Sequence, residues 1–242
     1  MTTISARNLL TEQLTPRYGA GEAASIARIV LEDAFSVDGG RWTVDGGRLT
    51  ADGGRWTADD QEKLQQILAR LLAGEPVQYV LGEADFFGLK FRVNPAVLIP
   101  RQETEELVAW VLEHLKSSDL EHPAVLDIGL GSGCIGITLK KKFPRLHLYG
   151  LEKSKAALDV ALENARRILG ETTAFEFMEG DILSYPDWAN FPLLDVVVSN
   201  PPYIPFAEKN MVPEHVVAHE PALALFVDDD DPLLFYRTIA DF

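Results

Sequence analysis

Residues 124–133 read AVLDIGLGSG, an apolar segment that runs directly into a glycine-rich turn. We predict a strand over residues 124–128 and a helix that begins at Cys134. Glycines let the backbone turn tightly and come close to a ligand, because they have no Cβ. The helix that follows directs its N-terminal amides toward that ligand. This stretch therefore predicts a strand–turn–helix unit of an α/β fold, with a ligand site at the turn.

Helices and strands alternate on both sides of this stretch. We predict helices over 103–116 and 154–169, and further strands near 146–151, 174–178 and 194–199. Short apolar strands that alternate with helices predict a parallel sheet covered by helices on both faces. Because ligands of such sheets lie beyond the carboxyl ends of the strands, the residues that follow each strand form the candidate site.

An acidic residue, Glu152, ends the second predicted strand, 23 residues after Gly129. A carboxylate there can accept hydrogen bonds from both ribose hydroxyls of a nucleoside. The glycine turn and this spaced acid together predict an adenosine-containing cofactor, and they do not separate NAD from S-adenosylmethionine. The alternative is a glycine-rich turn beside a surface glutamate.

The fourth predicted strand ends in Asn200-Pro201-Pro202-Tyr203. The Asn200 amide oxygen and the Pro201 carbonyl, which lies within a rigid Pro-Pro step, form two fixed acceptors that suit the two hydrogens of an NH₂ group. The Tyr203 ring offers a face for a planar amide or base. Placed after the glycine turn and Glu152, the tetrapeptide predicts methyl transfer from S-adenosylmethionine to an amide or amino nitrogen. Read alone, it is equally typical of a proline-rich turn.

The N-terminal part of the chain has a different texture. We predict a small helical domain over residues 1–74, for substrate recognition, and a β-hairpin linker over 75–100, which leaves 101–242 as the catalytic domain. Within the first domain, residues 38–59 form an inserted glycine-rich repeat, DGGRWTV, DGGRLTA and DGGRWTA. Two glycines per unit disfavour a coiled coil, so we expect a loop or a weak hairpin ladder.

Charge and composition narrow the class of protein. The 37 acidic and 22 basic residues give a net charge of −15, whereas proteins that grip nucleic acid usually present a basic face. We therefore expect no direct binding to duplex DNA. The lone cysteine, Cys134, fits a reducing compartment, and no apolar run approaches the roughly 18 residues that span a bilayer. We expect a cytoplasmic protein, without a membrane partner, that is a monomer.

Several segments together resemble the HemK-type (PrmC) release-factor glutamine methyltransferases over nearly the whole chain. The most specific is Leu98-Ile99-Pro100-Arg101-Gln102-Glu103-Thr104-Glu105, which is similar to the family's LIPRPETE segment with Gln102 in place of a proline. The segments 74–82, with Phe86, Gly88 and Phe91, and 219–225, followed by Phe235-Tyr236, also resemble the family. The resemblance implies a Rossmann-like methyltransferase sheet that acts on the glutamine of the Gly-Gly-Gln motif in class I peptide chain release factors.

The resemblance also assigns roles to residues. It implies that the cofactor S-adenosylmethionine is bound by Asp127, Gly129, Leu130, Gly131, Ser132, Gly133, Glu152, Asp181, Ile182 and Asn200. It implies that Asn200, Pro201, Pro202 and Tyr203 are the catalytic residues. From the LIPRQETE segment we expect Arg101, Glu103 and Thr104 to position the substrate. Glu152 stands where the family more often has aspartate, and its longer side chain should still reach the ribose.

Two alternatives to this function stay open from the sequence. One is an adenine or cytosine amino-methyltransferase, which shares the NPPY chemistry but should show a basic groove. The other is an inactive fragment, because the family resemblance leads us to expect a fifth strand and a closing hairpin after Phe242, without which the sheet lacks its C-terminal strands. His215 and His219 share a helical spacing, but no third ligand has a convincing spacing, so we expect no metal site.

Overall fold

The computed structural model describes residues 1–35, 43–45, 48–50, 56–184, 188 and 191–242. These residues fall into two units, Met1–Leu81 and Gly82–Phe242. The first unit is built from helices. Its elements are α1 (Thr3–Ala34), β1 (Thr43–Asp45), β2 (Arg48–Thr50), α2 (Ala58–Leu72) and α3 (Val77–Leu81).

The core of the first unit comes from the apolar stripes of α1 and α2. Leu10, Leu14 and Leu31 of α1 and Leu64 and Leu71 of α2 are fully buried in one cluster. Helix α1 contains Pro16 and turns at Gly19, whose φ of 76° is outside the helical region. The break in helical geometry therefore falls at the glycine.

Antiparallel strands β1 and β2 lie inside the glycine-rich repeat and pair Thr43 with Thr50. Residues 38–42, 46–47 and 51–55 of that repeat lie outside the described residues. The predicted loop or hairpin ladder over 38–59 thus includes one short hairpin within the part of the chain that the structure describes.

The linker prediction needs one correction, because Val77–Leu81 is a helix and not part of a hairpin. Its β-branched residues favour a strand, but hydrogen bonds from Arg70 of α2 stabilise a helix instead. The Arg70 guanidinium donates to the carbonyls of Tyr79 (3.0 Å) and Val80 (2.8 Å), and so satisfies the C-terminal acceptors of a short helix. The hairpin itself is β3 (Glu83–Phe86) paired with β4 (Leu89–Arg92).

A four-stranded parallel sheet forms the centre of the second unit. Its strands are β5 (Ala124–Ile128), β6 (His147–Glu152), β7 (Glu176–Glu179) and β8 (Val196–Ser199), in the order β7-β6-β5-β8. Connecting helices are α4 (Gln102–Ser117), α5 (Cys134–Lys142) and α6 (Lys155–Leu169). The chain order reverses beside β5, and such a switch point opens a crevice at the carboxyl ends of the strands. The predicted α/β fold with a parallel sheet is confirmed.

Side chains of strand β5 are buried on both faces of the sheet. Val125 packs in a cluster with Val108 and Leu112 of α4, whereas Leu126, on the opposite face, clusters with Leu151. Helix α5 comes close to the sheet at Gly136. A Cβ there would lie 2.9 Å from Leu148 Cδ1 and 3.0 Å from an oxygen of the β5 residue Asp127, so only glycine allows this approach.

The remaining chain forms short elements after β8. They are β9 (Ile204–Pro205), a 3₁₀ helix (Phe206–Met211), α7 (Glu214–His219), α8 (Ala222–Leu225), β10 (Phe226–Val227) and α9 (Leu234–Asp241). β9 pairs in parallel with β10. Phe235 and Ile239 of α9 pack against the cluster that contains Leu126, and so cover the face opposite α4.

The length and composition of the helices bear on membrane insertion. Among the described residues, none of the helices combines the length and the apolar character needed to cross a bilayer.

Candidate active site

A cavity of about 300 Å³ lies at the carboxyl ends of the four parallel strands. Residues that follow each strand line it: 128–132 and 134–135 after β5, 151–154 and 156–157 around the end of β6, 180–182 after β7, and 199–202 after β8. The rest of the wall comes from 96–98, 100–101, 104, 221, 223–224 and 235. Its volume is at the lower end of the range of ligand pockets.

The glycine turn forms one wall of this cavity and leaves space beside its backbone. Gly129 (φ 74°) and Gly131 (φ 53°) have left-handed backbones, and a Cβ built on either would meet no atom within 4 Å. The Gly129 amide donates to the Leu151 carbonyl at 2.8 Å, which fixes the turn against β6. The turn is therefore a cradle in which side chains are absent where a ligand can approach the backbone.

Glu152 is 8% exposed and lines the cavity at the end of β6. Its Oε2 accepts from the Gly131 amide at 2.9 Å, and its Oε1 accepts from the Ser154 amide at 2.8 Å. These two bonds fix the orientation of the carboxylate and join it to the glycine turn. Each oxygen keeps a further lone pair, so the carboxylate can also accept from a ligand hydroxyl.

Asp127 lies beneath the turn and is completely buried. Its Oδ2 accepts from the Gly136 amide at 2.8 Å, whereas its Oδ1 has no hydrogen-bond partner among the described residues. Burial raises the pKa of the Asp127 carboxyl from 3.8 to about 7; the Gly136 amide opposes this rise and the Glu152 carboxylate adds to it. A buried carboxyl with one unsatisfied oxygen is a costly feature that functional sites often contain.

The segments that follow β6 and β7 contribute an ion pair to the cavity wall. Lys153 Nζ lies 2.8 Å from Asp181 Oδ2, and both side chains line the wall. The Leu183 amide donates to Asp181 Oδ1 at 3.0 Å, which holds the carboxylate in the turn after β7. The neighbouring Ile182 is 6% exposed and adds an apolar surface.

The NPPY segment enters the cavity from β8. The Asn200 amide nitrogen donates to Thr104 Oγ1 at 3.4 Å, a long hydrogen bond from the segment to the first turn of α4. With the amide in this orientation, the Asn200 oxygen is left for another donor. No described residue donates to Asn200 Oδ1 or to the Pro201 carbonyl. Two acceptors thus stand at the wall of the cavity.

A buried ion pair joins two stretches of the cavity wall that are distant in sequence. Arg101 Nη2 lies 2.6 Å from Glu220 Oε1, and the Ile99 amide donates to Glu220 Oε2 at 3.2 Å. The Glu220 side chain is only 1% exposed, whereas that of Arg101 is 37% exposed. The carboxylate therefore ties the segment before α4 to the segment that contains α8.

Most of the site residues predicted from the sequence come together here, but four do not line the cavity: Asp127, Gly133, Glu103 and Tyr203. Asp127 lies below the turn, and Gly133 caps α5 with a φ of 77°. Glu103 is exposed on the first turn of α4, where the helical phase directs Thr104 inward instead. Tyr203 is 55% exposed and lies outside the cavity lining.

Asn164 of α6 is fully buried and is not among the residues predicted from the sequence. Its amide nitrogen donates to the carbonyls of Ser132 and Arg92, both at 2.9 Å, and its oxygen accepts from the Arg92 amide at 2.7 Å. Asn164 thereby fastens the glycine turn and the β3–β4 hairpin to α6. The available signal was an amide inside the otherwise apolar buried stripe of α6.

Glu220 is also absent from the predicted site residues, because an acid before a proline gives little indication of a functional role in the sequence.

The lining residue Cys134 has a thiol whose pKa burial raises to about 12, so the thiol is neutral near pH 7. Among the described residues, no cluster of three or more histidine, cysteine, aspartate or glutamate side chains could hold a metal ion.

Comparison with known families places this site in a class. Residues 101–222 match the family described as "Methyltransferase small domain", and residues 5–82 match "PrmC N-terminal domain". The chain belongs to the methyltransferase small domain family. The predicted Rossmann-like methyltransferase fold is thereby confirmed.

Particular relatives narrow the resemblance further. The chain is 46% identical over 178 residues to the release factor glutamine methyltransferase of Flavobacterium psychrophilum, a match that covers 73% of this chain and 61% of that protein. It is 42% identical over 181 residues to the protein of the same name from Bacteroides thetaiotaomicron, covering 75% and 62%. The chain thus spans about three-fifths of the length of these curated relatives. The resemblance to this family predicted from the sequence is confirmed.

Among solved structures, the hMettl16 catalytic domain, solved in complex with the MAT2A 3'UTR hairpin 6, gives a TM-score of 0.49 at 15% identity and covers 76% of this chain and 62% of that one.

Proposed function

We propose that this protein transfers a methyl group from S-adenosylmethionine to the side-chain amide nitrogen of the glutamine in the Gly-Gly-Gln motif of class I release factors. One observation carries the proposal: the two acceptors of Asn200 and Pro201 share a cavity with the glycine turn and Glu152. The names of the relatives support the choice of substrate.

The residues present fit the cofactor. The glycine cradle gives room for the methionine portion close to the backbone, and the unsatisfied Asp127 Oδ1 lies beneath that turn. Glu152 offers acceptors to the ribose hydroxyls, and Asp181 with Ile182 offers a polar and an apolar contact to the adenine. When bound, S-adenosylmethionine supplies a methyl group on a positively charged sulfur, which is already a good leaving group.

The role of the protein is then to orient the amide nitrogen. An amide nitrogen is a poor nucleophile, because its lone pair is shared with the carbonyl. Asn200 Oδ1 and the Pro201 carbonyl would each accept one N–H bond, favour a more pyramidal nitrogen and stabilise the developing positive charge. Pro202 stiffens the acceptor pair, and the Tyr203 ring provides a surface beyond it for the planar amide. Alignment of this kind can contribute roughly 7–11 kcal/mol.

Two flanking residues support that orientation. Thr104 accepts from the Asn200 amide nitrogen, and so keeps the Asn200 oxygen free to receive the substrate. Arg101 lies in the cavity wall and is held by Glu220. No strong general base is needed before transfer, since the nitrogen becomes acidic once it is methylated.

The partner in this proposal is a protein and not a nucleic acid. The net charge of −15 disfavours contact with a phosphate backbone. The helical unit would recognise the release factor, and it matches the PrmC N-terminal domain. A release factor acts in the cytoplasm, so we place the protein there, as a monomer.

The choice of substrate class is tested by offering labelled S-adenosylmethionine with a purified release factor, duplex DNA or single-stranded RNA in separate reactions. We expect label in the release factor alone. Label in either nucleic acid would replace the proposal with an amino-methyltransferase that acts on bases. Cofactor binding measured on the same preparation shows whether an absence of label means that the substrate is wrong or that the protein does not bind the cofactor.

A further inference from the structure

The charged side chains around the cavity are arranged in pairs. Among the described residues, Arg101 and Lys153 are the cations that line it. Lys153 lies 2.8 Å from Asp181, which also lines the wall. Arg101 lies 2.6 Å from Glu220, which is outside the lining and nearly inaccessible to solvent. Each cation of the wall therefore has one carboxylate directly beside it.

One lining carboxylate remains after this pairing. Glu152 accepts its hydrogen bonds from backbone amides, and none of the described residues forms a salt bridge with it. With Glu220 included, three carboxylates face two cations, so the net negative character of the cavity depends on the neutralisation of Arg101 by Glu220. Without the Glu220 charge, the guanidinium would balance part of that field.

We propose that Glu220 is a specificity-determining residue, which neutralises Arg101 and so raises the affinity of the cavity for a cationic sulfonium ligand relative to its affinity for the neutral thioether. The inference rests on the proposed function, in which the cofactor has a positive sulfur and its product, S-adenosylhomocysteine, has lost that charge.

The shared cavity sets the expected effect. Arg101 lines the same cavity as the glycine turn and Glu152, so an unbalanced guanidinium would repel a cation bound there. At the effective dielectric constant of protein sites, repulsion between unit charges about 10 Å apart changes a dissociation constant on the order of tenfold. A neutral ligand of the same shape does not experience this repulsion. The ratio of the two affinities therefore isolates the charge effect.

The test is isothermal titration calorimetry of the full chain with three probes: S-adenosylmethionine, sinefungin, which has an ammonium group near the sulfonium position, and S-adenosylhomocysteine. In Glu220→Gln we expect the affinity for both cationic probes to fall on the order of tenfold, and the affinity for the neutral thioether to change less than about twofold. Equal losses for all three would mean that Glu220 only supports the fold, and would overturn the inference.

Two further variants separate charge from folding. The double variant Arg101→Gln with Glu220→Gln removes both charges, so we expect the wild-type ratio of affinities to return. Lys153→Met removes a half-exposed cation from the same wall, so the preference for the cationic probes should increase. This second variant tests the electrostatic account without altering Glu220, and an unchanged or lower preference contradicts that account.

The result also distinguishes this inference from the proposed function. If the wild-type chain binds none of the probes, the proposed cofactor is wrong, and the inference fails with it. If the wild-type chain binds all three probes, and the affinity ratio is the same in Glu220→Gln and Lys153→Met, the proposed function stands and only the role of Glu220 is refuted.

Discussion

Thr104 and Asn200 are 96 positions apart in the chain, and at the residue scale a long hydrogen bond of 3.4 Å joins their side chains in the site. A primary amide has a donor end and an acceptor end, and Thr104 Oγ1 takes the donor end of Asn200. Because Thr104 is 8% exposed and on the first turn of α4, its hydroxyl has little freedom to move. The acceptor end of Asn200 is therefore directed by the sheet and by α4 together.

Replacement of Asn200 by alanine tests this assignment. The variant loses one of two acceptors for the substrate N–H groups, so we expect turnover to fall on the order of 100-fold, as when one transition-state hydrogen bond is removed elsewhere. Cofactor affinity, measured by calorimetry, should change by less than about threefold, which corresponds to less than one weak hydrogen bond.

Asn210→Ala is the matched control, because Asn210 is exposed in the 3₁₀ helix and lies outside the cavity lining. It should leave both quantities unchanged. Equal losses of turnover and cofactor affinity in Asn200→Ala would contradict a role directed at the substrate.

At the scale of elements, the site depends on how the glycine turn is attached to its surroundings. Asn164 links three of them with a single side chain: the turn through Ser132, the hairpin through both backbone groups of Arg92, and its own helix α6. A fully buried amide is stable when all of these hydrogen bonds are made. If the amide is removed, each of its partners is left without a hydrogen bond.

We expect Asn164→Ala to lower the free energy of unfolding by about 3 kcal/mol, since three hydrogen bonds of a buried group are lost together. Urea unfolding followed by circular dichroism measures it. Arg166→Ala, on the exposed side of the same helix, should change the free energy by less than about 0.5 kcal/mol. An effect of Asn164→Ala as small as that of the control would show that the three bonds contribute little.

The sequence predicted those parts of the fold and site that depend on local pattern. Short apolar runs located the four strands, and the residues directly after them, such as the glycine turn, Glu152 and Asn200, were therefore found. Contacts between distant segments were missed. Arg101 and Glu220 are 119 positions apart, and nothing in the sequence around one residue indicates that it pairs with the other. Glu103 and Thr104 both lie on the first turn of α4, and only the folded structure shows that Thr104 lines the cavity whereas Glu103 is exposed.

At the scale of the whole molecule, one buried group couples the stability of the protein to pH. The carboxyl of Asp127 has its pKa raised from 3.8 to about 7, chiefly by burial. The folded protein therefore binds a proton that the unfolded chain releases between these values. The contribution to stability is complete below pH 3.8 and is lost as the pH rises through about 7.

The variant Asp127→Asn is neutral at every pH and cannot show this loss. The pKa difference corresponds to roughly 4 kcal/mol. We therefore expect the free energy of unfolding of Asp127→Asn, relative to the wild type, to increase by an amount of that order between about pH 4 and about pH 8. Thermal or urea unfolding at several pH values measures it. A difference that stays constant with pH would show that the carboxyl of the folded protein does not titrate in this window.

The identity of the methyl acceptor is the central claim, and one measurement tests it most directly. The protein is incubated with S-adenosylmethionine and a purified release factor, and the peptide that contains the Gly-Gly-Gln motif is sequenced by tandem mass spectrometry. A parallel reaction uses a release factor whose motif glutamine is changed to alanine. We predict one added methyl group on the side chain of that glutamine, and none on the altered factor. Methylation of both factors at another residue, or of neither while the cofactor binds, would contradict the claim.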